Sequence, residues 1–108
     1  MPIETIDDYM RLARQSFLPE RARGRNAVLQ YHFTGRVTES CYVQLEDGAL
    51  LVAQGTHPHP TATVRVDFDL WLRILSYQVD GLMAYQAGEY QVEGDLETLI
   101  ESDTWFHR

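Results

Sequence analysis

The chain has 108 residues, 44% of them apolar and 23% charged, with a net charge of −7. That size and composition predict one globular domain over residues 1–108, and no apolar run approaches the roughly 20 residues that a membrane-spanning helix needs. All nine basic residues are arginines, and from residue 26 onward four arginines stand against twelve acids. So acidic a body repels polyanions, which argues against nucleic acid as a partner.

The opening MPIETIDDYM is acidic and polar, unlike a secretory signal. With a single cysteine, Cys41, the chain forms no internal disulfide, and a reducing, cytoplasmic setting is expected. Thr5 is placed to cap a helix, with Asp8 three residues on to complete a capping box. Ile6, Tyr9, Met10, Ala13, Phe17 and Leu18 then follow helical spacing, and Pro19 ends the segment. Five arginines fall in the first 25 residues, where they read as a solvated helix face and loop; Arg11 or Arg14 is a candidate for a head-group contact.

Five strands follow by alternation. Leu29, Tyr31 and Phe33 share one face of the first, within residues 27–34. Cys41, Val43 and Leu45 share one face of the second, and Asp47-Gly48 is a hairpin signal leading into the third, residues 49–54. A proline-punctuated loop, GTHPHP at 55–60, precedes the fourth strand, where Ala62, Val64 and Val66 alternate with polar residues. Asp67 is expected to cap a helix from Phe68 to Tyr77 that is apolar nearly all round and therefore well buried. Asp80 caps a second short helix through Leu82–Tyr85, with Gly88 as its stop. Tyr90 and Val92 alternate in a fifth strand, and Gly94-Asp95 begins a last helix with Leu96, Leu99 and Ile100 on one side. The fold class predicted is α+β: a five-stranded, largely antiparallel sheet with helices packed over its one apolar face.

Chemistry-bearing constellations are few. His57 and His59 flank a proline as a two-histidine pair could for a metal, but no second Cys/His cluster completes a site, so a solvated turn is expected. Cys41 alternates with Val43 and Leu45 and reads as a core thiol rather than a nucleophile. Asp67 and Asp95 are accounted for as caps and Asp69 by the helix dipole. No glycine-rich phosphate loop or serine elbow is present. No catalytic residue, metal or cofactor is expected.

The segments VLQYHFTG, YVQLEDGALLVAQG, ATVRVDFDLWLRIL and AYQAGEYQVEGD resemble the sterol carrier protein 2 (SCP2) family, from about Ala27 to Phe106. The N-terminal helix, within residues 1–19, stands where that family has one. Most specific is the closing pattern: an aromatic residue, Gly88, a strand, then Gly94-Asp95. Glu89 departs from the lysine usual at that point of the family pattern, and the last helix is shorter. The resemblance implies a non-catalytic domain that binds or carries a lipid or other hydrophobic small molecule in an apolar tunnel between sheet and helices. Trp71, Leu75, Met83, Tyr85, Leu99 and Phe106 are the expected lining, with Phe33 and Val92 below them from the sheet. The alternative is an interaction or dimerisation module whose tunnel is filled by its own side chains. Transient membrane contact and a homodimer through Trp105 and Phe106 are further partner expectations; against the dimer, the two aromatics fold back onto their own sheet.

Overall fold

The computed structural model describes residues 3–107. Helix α1 spans Ile6–Ser16, and the Thr5/Asp8 capping box is fully formed. Strands β1 (Ala27–Thr34), β2 (Ser40–Glu46), β3 (Ala49–Gln54) and β4 (Ala62–Asp67) come next. Helices α2 (Phe68–Leu75) and α3 (Gly81–Gln86), strand β5 (Gln91–Gly94) and helix α4 (Leu96–Ser102) complete the order, with a single 3-10 turn at Asp103–Trp105. Among the described residues, no helix is long and apolar enough to cross a membrane.

The sheet runs β3-β2-β1-β4-β5. Every pairing is antiparallel except the central β1–β4 pair, which is parallel. The register aligns the alternating residues into one apolar face. Leu29 lies opposite Val43 and Ala62, Tyr31 opposite Cys41 and Val64, and Phe33 opposite Val66. All of these are buried, because the four helices pack on that side. The 55–60 loop bridges the opposite, polar face and is held by Gln30, itself 1% exposed. Its Nε2 donates to the carbonyls of Cys41 and Gly55, and its Oε1 accepts from the His57 N–H. A buried amide left unpaired would cost about 1–3 kcal/mol, so these three bonds fix the loop's path.

The expected caps are all in place: the side chains of Asp67, Asp80 and Asp95 accept from the N–H groups of Leu70, Met83 and Thr98. Gly94 has φ of 88°, and a Cβ there would lie 2.5 Å from the Thr61 carbonyl. The next residue, Asp95, donates its N–H to that same carbonyl. The Gly94-Asp95 pair is thus one device: close approach to the start of β4, then a helix cap.

Two boundaries and one buried face differ from expectation. Helix α1 ends at Ser16, not near Pro19, because Phe17 turns extended and bridges Phe106. The Leu18 N–H donates to the Trp105 carbonyl and the His107 N–H to the Ser16 carbonyl. Trp105 is consequently 2% exposed. Of the two expectations for it, folding back into its own domain holds and presentation to a second subunit does not. Helix α2 ends at Leu75 and not at Tyr77, since Tyr77 takes φ of 63°, in the left-handed region. Ile100 is 53% exposed and does not share the buried side of α4 with Leu99.

Candidate functional site

The space between the helices and the sheet divides into two halves. One half is filled by aromatic rings. The Tyr9 ring meets Phe33 edge-on at 5.1 Å and Phe68 at 6.1 Å, and Phe33 meets Phe68 at 5.0 Å. Such edge-to-face pairs are the favoured geometry for buried rings. The Trp71 indole N–H donates to the Tyr9 hydroxyl at 2.9 Å. This satisfies the one polar group that a buried tryptophan carries. From outside, Arg36 clasps the cluster. It pairs with Asp69 at 2.7 Å, donates to the Ile3 and Glu4 carbonyls, and lies 5.3 Å over the Phe68 ring. The Arg36 guanidinium holds the Asp69 carboxyl below its usual value.

The other half is a pocket of about 750 Å³. Its floor is apolar and buried: Ala13 of α1, Tyr31 and Val43 of the sheet, Trp71 and Ile74 of α2, and Leu99 of α4. Tyr9, Tyr31 and Trp71 form the wall it shares with the aromatic half. Its rim is exposed and mostly polar, with Ser76, Tyr77, Gln78, Asp103 and His107 beside Leu12. Phe106, its ring tilted against that of Phe17 at 5.7 Å, closes one side. Leu72 and Leu75 are only partly buried because they border this space. That is why α2 is less enclosed than its all-round apolar sequence predicts.

Of the eight residues expected to line a tunnel, Trp71, Leu75, Leu99 and Phe106 meet around this pocket. The other four do not border it. Phe33 stands in the aromatic half. Val92 is half-buried on β5, opposite Val64. Tyr85 packs beside Tyr90, whose hydroxyl donates to the Gly81 carbonyl and whose pKa is raised by burial. Met83 is 66% exposed on α3. Tyr9, Ala13, Tyr31, Val43, Ile74 and Tyr77 were not anticipated as lining. Tyr31 and Val43 were legible as inward-facing neighbours of Phe33 and Cys41, and Tyr9 and Ala13 as one stripe of α1. What the alternation does not reveal is which part of a buried face meets a side chain and which meets empty space.

The remaining candidates have quiet surroundings. Cys41 is fully buried, and desolvation pushes its thiol up to about 12. His57 accepts from the His59 N–H through Nδ1 and packs its ring against Tyr42. Arg14 donates to the Val52 carbonyl and Arg11 pairs with Asp8, so both arginines are engaged within the fold. Among the described residues, no group of three or more His, Cys, Asp or Glu side chains is arranged to hold a metal ion.

The family model described as the SCP-2 sterol transfer family matches residues 7–105. The chain belongs to this family. Among solved structures, this SCP-2 chain is similar to the stereoselective inverting sec-alkylsulfatase Pisa1 from Pseudomonas sp., with TM-score 0.85 at 20% identity. That match covers 94% of this chain but only 16% of the sulfatase. It is also similar to palmitated SCP2L2 from Aedes aegypti, with TM-score 0.69 and 24% identity over the whole of both chains. Sterol carrier protein 2 from Yarrowia lipolytica, in its apo form, gives TM-score 0.65 at 15% identity, over 93% of this chain and 83% of that one. At these identities the likeness carries the fold alone. No curated protein matches the chain.

Proposed function

We propose that this SCP-2 family member binds and carries a lipid or other apolar small molecule in the pocket beneath α2, without catalysing a reaction on it. One observation carries the reading: a pocket of about 750 Å³ with an apolar, buried floor and a polar rim. Pockets that hold small ligands run at about 300–1,000 Å³ and combine apolar walls with a few placed polar groups. The floor receives the apolar body by burial, worth about 25 cal/mol per Å² before the costs of association. The Ser76 hydroxyl, Gln78 amide, Asp103 carboxylate and His107 imidazole of the rim meet a polar head group at the mouth. Trp71, Leu75, Leu99 and Phe106 are the proposed contacts, together with Tyr31 and Ile74. The non-catalytic reading is supported by Cys41, whose thiol is buried and pushed up to about 12, far from the poise of a nucleophile.

The test is ligand capture. Protein purified under gentle conditions is examined by native mass spectrometry, and then titrated with cis-parinaric acid and with a fluorophore-labelled sterol. Saturable uptake of either probe at one site, weakened by Leu99→Trp, is the expected result. Absence of any co-purified lipid together with no uptake of either probe would sink the reading. In that case the filled-tunnel interaction module is favoured. Any homodimer would then rest on Phe106 without Trp105, because the latter is enclosed in its own domain.

A further inference from the structure

Helices α2 and α3 end in the same hydrogen-bonded motif. At α2 the Tyr77 N–H donates to the Ile74 carbonyl and the Gln78 N–H to the Arg73 carbonyl. At α3 the Gly88 N–H donates to the Tyr85 carbonyl and the Glu89 N–H to the Ala84 carbonyl. In each, one residue must be left-handed: Gly88 has φ of 78° and Tyr77 has φ of 63°. Glycine is the usual occupant of this position, since a Cβ strains that backbone. A bulky aromatic residue there is an outlier, and outliers of this kind gather at ligand clamps and functional sites. Burial does not account for the tyrosine, because Tyr77 is 71% exposed. Position does: Tyr77 lines the mouth of the pocket, beside Ser76 and Gln78. Gly88 borders no part of it.

We propose that Tyr77 is a specificity-determining lip of the pocket, held in a strained backbone conformation so that its ring covers the exposed end of a bound apolar molecule. The inference rests on the carrier reading above. The left-handed backbone directs the side chain away from the continuing helix and toward the mouth. There the ring can bury against whatever protrudes from the floor. The strain persists because α2 is anchored by four buried residues, Phe68, Leu70, Trp71 and Ile74. A lip of this kind chiefly slows release, so it selects ligands long enough to reach it.

The experiment measures the release rate of cis-parinaric acid or the labelled sterol by stopped flow, alongside melting temperature, in four variants. Tyr77→Asn removes the ring and tolerates the left-handed backbone. Tyr77→Ala removes the ring and keeps the strain. Tyr77→Phe keeps the ring, and Gly88→Ala adds strain away from the pocket. Release from Tyr77→Asn and Tyr77→Ala is expected to be roughly ten-fold faster, the change for about 60 Å² of apolar surface returned to water. Tyr77→Phe is expected to release at the wild-type rate. Tyr77→Asn should melt a few degrees above Tyr77→Ala although both release fast, which separates ligand retention from stability. Gly88→Ala should melt lower and release normally. Wild-type release from Tyr77→Asn would overturn the lip alone. No uptake by the wild-type chain would overturn the carrier reading and the lip with it.

Discussion

The ends of α2 and α3 make the same turn with different residues, and the bodies of the two helices explain how each is tolerated. Helix α2 buries Phe68, Leu70, Trp71 and Ile74 against the sheet and the aromatic cluster. Helix α3 buries only Ala84. A left-handed tyrosine costs about 1–2 kcal/mol relative to a relaxed backbone. A well-anchored helix absorbs that cost, whereas a six-residue helix with one buried side chain does not. At Gly88 nothing lies within 4 Å of a would-be Cβ. Backbone conformation alone, not crowding, therefore accounts for the glycine there. The lesson is that local strain is tolerated where tertiary packing over-determines the segment, and such a place can be given to function.

The sharpest way to break this comparison is to remove the anchor. Trp71→Ala takes out a ring that touches Tyr31 and Tyr90 and the donor to the Tyr9 hydroxyl. Its expected cost is about 3–5 kcal/mol, read from urea unfolding. A loss below about 1 kcal/mol would show that α2 is not the anchored partner of the pair. Next in size is the exchange of residues. Gly88→Tyr places the α2 solution on the unanchored helix, and a destabilisation of about 1–2 kcal/mol is expected with α3 amide protection lost first. A neutral result would mean that anchoring is irrelevant to strain at this turn.

The smallest effect concerns the start of α2. Asp69 is held below the ordinary carboxylate value, first by its hydrogen bonds from Arg36. Its folded pKa lies below the unfolded one, so the contribution is fully present above pH 3.8 and fades as pH falls through the folded value. The stability gap between wild type and Arg36→Gln should therefore be constant near neutral pH and shrink in acid. A gap that stays constant down to pH 2 would show that the pair is held by packing on Phe68 and not by charge.

The chain's local signals were legible because each is written by residues adjacent in sequence. The capping side chains Thr5, Asp67, Asp80 and Asp95, the alternation of β1, β2 and β4, and the close-packed Gly94-Asp95 corner all lie within a few positions of what they control. These, with the family resemblance, determined the α+β class, the apolar sheet face and the carrier reading. They also placed Trp71, Leu75, Leu99 and Phe106 on the inner side.

Only the tertiary structure decided how that inner space is divided. Phe33 and Phe68 close half of it because Tyr9, more than twenty residues from either ring along the chain, brings its ring against both of them. Trp105 is enclosed because Phe17 turns extended and residues 16–18 bond to the C-terminal segment. The pocket is what those long-range contacts leave unfilled, and a void has no sequence of its own. Tyr77 joins the two levels. Its residue type is plain in the chain, but only the fold shows that it stands left-handed, at the mouth of the pocket, where glycine would be the easier choice.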